Sequence, residues 1–182
     1  MPHESSAPSP WLLRWAHLLP RHGTVLDVAC GSGRHVRWLA AQGFSVTAID
    51  RDAGALAPLR DLAQVIVADI QTGPWPCADT LFDVVLVTNY LWRPLFPVLI
   101  DAVAPGGLYL HETFAAGNQT VGRPARPEFL LQPGELLSAC AELRILAFED
   151  GFADAPERFV QRIVAARDDG DERNPTRWAM PR

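Results

Sequence analysis

The residues of this chain that could do chemistry fall at the ends of apolar runs. Val25 to Ala29 reads as a short buried strand, Gly31-Ser32-Gly33 breaks it, and Arg34 to Gln42 continues with Val36, Leu39 and Ala40 on one side of a helix. Strand, glycine turn and helix in that order bring backbone N–H groups up to a bound ligand. Glycine permits φ > 0 there and leaves no Cβ in the ligand's way. Asp50 ends a second apolar run about twenty residues on, where an acid can accept both hydroxyls of a ribose. Asp69-Ile70, Asn89-Tyr90 and His111-Glu112-Thr113-Phe114 close three more such runs. His111 is the best candidate for a general base, because its unperturbed pKa lies near neutrality; the alternative is a hydrogen-bonded histidine at a strand end. Glu112 and Arg123 either pair with each other or face a substrate, and a guanidinium can hold an anionic group through two hydrogen bonds.

A dinucleotide site would require G-x-G-x-x-G, or alanine in the last place. Gly31-Ser32-Gly33-Arg34-His35-Val36 lacks that last small residue. Asp27-Val28-Ala29-Cys30-Gly31-Ser32-Gly33-Arg34-His35 instead closely resembles motif I of the class I methyltransferases that use S-adenosylmethionine. A nicotinamide enzyme and a purely structural glycine turn are the alternatives. The resemblance implies cofactor contacts at Asp27, Ala29, Gly31, Gly33, Arg34 and His35. It places Asp50 at the ribose, with Arg51 beside it among the cofactor-binding residues, Asp69 at the adenine amino group, and Ile70 against the ring. Asn89 and Tyr90 then stand at the position beside the transferable methyl group. Thr88-Asn89-Tyr90-Leu91 lacks the two prolines found there in enzymes that methylate exocyclic amines of bases or glutamine amides, which disfavours that subclass.

Over roughly residues 22 to 167, motif I and the order of elements resemble the small bacterial TehB-like methyltransferases of the tellurite-resistance type. Gly122-Arg123-Pro124 leading to Pro133-Gly134-Glu135-Leu136 is the most specific later piece. Those enzymes carry a His-Arg pair near the final hairpin. Gly151-Phe152-Ala153-Asp154 has none, and Arg158 is the one stand-in. Cofactor binding therefore carries over and the tellurite acceptor does not. Methyl transfer from a sulfonium is an in-line displacement in which the protein aligns the acceptor and excludes water. A base is needed only where the acceptor keeps a proton.

These residues need a scaffold, and the rest of the chain reads as one. Ser9-Pro10 starts a helix whose Trp11, Leu12, Trp15, Leu18 and Leu19 share a face. Strands are expected at 44–49, 65–68, 82–87, 108–114, 143–148 and 159–166 besides the first. Asp52 suits the N-cap of a helix that Pro58 interrupts. A helix is expected over Leu95–Val103 and another opening near Pro133, with Ala104-Pro105-Gly106-Gly107 as the turn before the fifth strand. Ala115 to Phe129 reads as a long loop, more often functional than not at that length. The architecture implied is a Rossmann-like, doubly wound α/β fold, with a seven-stranded sheet that is mostly parallel and ends in an antiparallel hairpin. It forms one domain over 1–182, with 1–9 and 168–182 as flexible flanks and Tyr90, Trp92 and Phe114 as candidate walls of the site.

At 182 residues and 48 % hydrophobic content the chain suits one sizeable core. A net charge of −5 argues against nucleic acid as a partner. All sixteen basic residues are Arg, which removes lysine chemistry. Cys30, Cys77 and Cys140 are scattered, without zinc spacing or a disulfide framework, and suit a reducing cytoplasm. No run is long and apolar enough to span a membrane, and no signal peptide is evident. The expectation is methyl transfer from S-adenosylmethionine to a small molecule, without a metal. An RNA or protein acceptor, or a non-catalytic module that binds the cofactor, are the alternatives; the oligomeric state is not readable.

Overall fold

A computed structural model describes residues 7–171, 173 and 176–180; the outermost parts of the flanks expected to be flexible lie outside the described residues. Seven strands form one sheet: β1 (Thr24–Val28), β2 (Ser45–Asp50), β3 (Gln64–Val67), β4 (Phe82–Thr88), β5 (Val103–Phe114), β6 (Arg144–Asp154) and β7 (Glu157–Ala166). Their order is β3-β2-β1-β4-β5-β7-β6. The first five run parallel, and β7 lies antiparallel to both β5 and β6. The chain doubles back between β1 and β4, the switch point beyond whose carboxyl ends ligands bind in open α/β sheets.

Alternation along the strands divides the core. Leu26, Val28, Val85, Val87 and Tyr109 face one side of the sheet, and Val25, Val84, Leu86, Leu108 and Leu110 face the other. The first side packs on α4 (Phe96–Asp101) and α5 (Glu135–Ala139), and the second on α1 (Pro10–Trp15) and α2 (Arg34–Ala41). Burial on both faces is what near-continuous apolar strands such as Phe82–Thr88 require. The Ser9 side chain accepts from the Trp11 N–H with Pro10 in the first helical position, so the start of α1 follows from local chemistry. Asp52 accepts from the Gly54 and Ala55 N–H groups and caps α3 (Ala53–Leu56), which passes into a 3₁₀ turn at Ala57-Pro58-Leu59.

The structure corrects the boundaries where tertiary pairing overrides local signals. The fourth helix stops at Asp101, and Val103 already pairs with Phe82. Ala104–Gly107 is a bulge inside β5, because the register jumps from Phe82↔Val103 to Val84↔Leu108. The final hairpin is longer than expected, since pairing continues to Asp154↔Glu157 through Gly151 and Phe152. The segment after β5 is an ordered excursion with two 3₁₀ turns, stitched back by an Ala115↔Leu131 bridge. Among the described residues, no helix is long and apolar enough to cross a membrane.

Candidate cofactor and acceptor site

A cavity of about 730 Å³ opens beyond the carboxyl ends of the parallel strands. Ala29, Gly31 and Ser32 floor it from the turn after β1, and Asp50 and Arg51 enter from β2. Asp69, Ile70 and Gln71 follow β3, and Asn89, Tyr90 and Leu91 follow β4. Thr113 and Phe114 close it from β5, with Pro124 and Phe129 from the excursion beyond. The floor is built from left-handed backbone: φ is 52° at Ala29, 55° at Gly31 and 55° at Asn89. A Cβ on Gly31 would meet nothing within 4 Å, so packing does not demand glycine there; the turn conformation does. Gly33, with φ 78°, is left-handed too and has a second reason. A Cβ there would lie 2.4 Å from Leu59 Cδ1, so this glycine lets α2 approach the 3₁₀ turn and does not line the cavity.

Asp50 organises the turn before any ligand arrives. Its Oδ2 accepts from the Gly31 N–H at 2.8 Å and its Oδ1 from the Asp52 N–H at 2.9 Å. Each carboxylate oxygen keeps a second lone pair for a ligand hydroxyl. The Gln71 N–H, 3.0 Å from Asp69 Oδ1, holds the Asp69 carboxyl below its ordinary range and keeps it an acceptor.

Behind the floor, Asp27 is wholly buried, and among the described residues neither of its carboxylate oxygens has a hydrogen-bond partner. Burial pushes its pKa up to about 8 against the partial relief of Arg34 nearby, so it is protonated at neutral pH. His35 stands beside it with Nδ1 3.9 Å from Oδ2. The Ser9 N–H donates to His35 Nε2 at 3.2 Å, which puts the ring proton on Nδ1 and keeps the imidazole neutral. Burial lowers the His35 pKa to about 3. Asp27, Arg34 and His35 thus form a layer beneath the cavity and do not line it.

The catalytic candidates fare differently, and His111 is corrected. The Nε2 of this buried ring meets the Tyr90 carbonyl at 3.0 Å, so Nε2 carries the proton. The Nδ1 lone pair is then taken by the Tyr109 hydroxyl at 2.8 Å. Burial lowers its pKa to about 4. With no free lone pair and no contact with the cavity, His111 is placed as a structural bridge between β5 and the loop after β4. His111→Leu should therefore leave the affinity for S-adenosylhomocysteine unchanged. It should lower stability by about 1–3 kcal/mol, the cost of an unpaired buried hydroxyl and carbonyl; calorimetry and a denaturant melt on one sample read both.

Glu112 points to the opposite face of β5, where it accepts from Ser9 Oγ at 2.8 Å and pairs with Arg158 and Arg162. Neither it nor Glu128, 3.6 Å from Arg126, is a partner of Arg123. Arg123 is exposed at the rim, next to Pro124 of the lining. Tyr90 and Phe114 wall the cavity, while Trp92 lies outside it. Pro124 and Phe129 are not readable as site residues, because only the return of the chain at the Ala115↔Leu131 bridge brings them over the ligand side, while Thr113 enters from the end of β5 itself.

The donor set fits S-adenosylmethionine. Asp50 would take the ribose hydroxyls, and Asp69 with Ile70 would take the adenine. Asp27, behind the floor, would offset the cationic end through an intervening water once it gives up its proton. Among the described residues, no group of three or more His, Cys, Asp or Glu side chains could hold a metal.

Residues 25–107 match a family model described as a methyltransferase domain. No curated protein sequence matches the chain. Among solved structures it resembles TehB from Haemophilus influenzae, with a TM-score of 0.75 at 18 % identity over 91 % of this chain. The chain spans 64 % of that structure's length. A TehB-like S-adenosylmethionine-dependent methyltransferase from Corynebacterium glutamicum gives a TM-score of 0.61 at 20 % identity, over 85 % of this chain and 88 % of the other. The glycopeptide N-methyltransferase MtfA complexed with S-adenosylhomocysteine gives 0.58 at 18 % identity, over 84 % and 86 %. At these identities the likeness is one of fold.

Proposed function

We propose that this chain is a class I S-adenosylmethionine-dependent methyltransferase and that it methylates an uncharged small molecule held against Tyr90, Leu91, Phe114, Pro124 and Phe129. One observation carries this reading: charge in the cavity is segregated. Asp50, Arg51, Asp52 and Asp69 cluster where ribose and adenine belong, and the walls from β4, β5 and the excursion are uncharged. An apolar, aromatic wall suits an apolar acceptor and keeps water from the reacting atoms. Bound S-adenosylmethionine supplies a methyl group already activated on a sulfonium. The protein's part is alignment: Asp50 fixes the sugar, the turn at Gly31 fixes the floor, and the aromatic walls press the acceptor into line. Neither ring nitrogen of His111 can take a proton from the acceptor, so the reading requires an acceptor whose lone pair is available at neutral pH. Arg123 sits where it could hold a polar substituent at the rim. The three free, buried cysteines agree with a reducing, cytoplasmic setting.

Two measurements test the proposal. Calorimetry should show S-adenosylmethionine and S-adenosylhomocysteine binding and NAD not binding; tighter binding of NAD would remove the premise. Formation of S-adenosylhomocysteine should then be faster with aniline than with selenite. Faster turnover of the oxyanion would overturn the uncharged acceptor.

A further inference from the structure

We infer that Arg93 is a positioning residue that fixes the Phe129 ring over the cavity, through hydrogen bonds on both sides of it. Arg93 follows β4 and does not line the cavity. Its Nη1 donates to the Glu128 carbonyl at 2.9 Å and its Nη2 to the Leu130 carbonyl at 2.9 Å. Those are the two neighbours of Phe129. The same guanidinium pairs with Glu135 at both carboxylate oxygens, Nε to Oε1 at 2.6 Å and Nη2 to Oε2 at 2.9 Å. Glu135 Oε2 also accepts from the Gln132 N–H at 2.7 Å, which ties down the chain on the way into α5. One planar group thus sets the backbone at 128 and 130 and the Glu135 carboxylate relative to the end of β4.

The consequence falls on Phe129. The 3₁₀ turn Pro127–Phe129 is short, and the Phe129 side chain is 37 % exposed, so burial does not hold it. It nevertheless shares one cavity with Asp50, Asp69 and Tyr90. What keeps it there is the backbone on either side, and Arg93 holds that backbone. Lysine cannot do the same, because a point charge on a flexible stem cannot span two carbonyls and a carboxylate in one fixed plane.

This inference rests on the reading of the cavity as the cofactor and acceptor site, and S-adenosylhomocysteine is the probe. Stopped-flow measurement of its release from the whole protein should show Arg93→Lys accelerating release about tenfold. Phe129→Ala should do the same, and the double variant should add nothing further, because both changes remove one thing. A tether without a role at the site would lower the melting temperature and leave release unchanged. Unchanged release in Arg93→Lys, or rates that multiply in the double variant, would overturn the inference while leaving the cavity reading intact. Failure of the unaltered protein to bind S-adenosylhomocysteine would overturn both.

Discussion

Asp27→Asn should stabilise the ligand-free protein at pH 8 and at the same time weaken its hold on S-adenosylhomocysteine. The wild-type carboxyl is buried without a partner and titrates near 8, against 3.8 for an ordinary aspartate. Between those values the folded state keeps a proton that the unfolded state has lost, so stability falls as pH rises from about 4 to about 8. At about 1.4 kcal/mol per unit, the loss at the alkaline end is on the order of 5 kcal/mol. The neutral histidines act in the other direction. His35 near 3 and His111 near 4 take up protons on unfolding, so each removes stability as pH falls below about 6.5. The three groups together place the stability maximum near pH 6.5. Asparagine at position 27 cannot ionise, so its alkaline limb should flatten while its acid limb stays. On the proposed reading, the bound cofactor's cationic end draws the proton off Asp27 and the carboxylate left behind serves as its counter-charge. A charge-assisted hydrogen bond is worth about 1.5–3 kcal/mol, so affinity should fall about ten- to hundredfold. Melts across pH, with calorimetry at pH 8, check both halves. A variant that is less stable at pH 8, or that binds as tightly as wild type, contradicts the account of Asp27.

Asp50→Ala should have the second large effect. The side chain holds the Gly31 and Asp52 N–H groups and presents its remaining lone pairs to the cavity. Alanine would remove the proposed ribose acceptor and also free the turn whose left-handed residues form the floor. Affinity for S-adenosylhomocysteine should fall at least about tenfold from the hydroxyl contacts alone. Asp50→Asn should fall between, since the amide keeps one acceptor oxygen. Equal losses in both variants would mean that the turn, and not the sugar, is what Asp50 serves; unchanged affinity in a folded Asp50→Ala would remove the ribose assignment.

The legible parts of this chain are those decided within a few residues. Ser9 and Asp52 cap helices because short polar side chains compete for the first free N–H groups of a helix. Val28, Asp50, Val67 and Thr88 end strands on one edge of the sheet, so the residues that follow them line one cavity. Other features depend on partners far away in sequence. The Tyr109 hydroxyl and the Tyr90 carbonyl decide that His111 is no base. Arg158 and Arg162 come from the last strand to neutralise Glu112. Gly33 looks like part of a ligand loop, and the distant Leu59 adds to its left-handed φ as a reason for glycine. The hairpin runs on past Phe148 through Gly151, a residue that weakens strands by itself but is held here by pairing with Val160.

The most direct test of the central claim is a diffraction structure of the protein with S-adenosylhomocysteine bound. The ribose hydroxyls should lie within hydrogen-bond distance of both Asp50 oxygens, with the adenine at Asp69 and Ile70 and the sulfur facing Tyr90, Phe114 and Phe129. A nucleoside bound elsewhere on the sheet, or reversed so that its sugar meets Phe129, would contradict the assignment of this cavity.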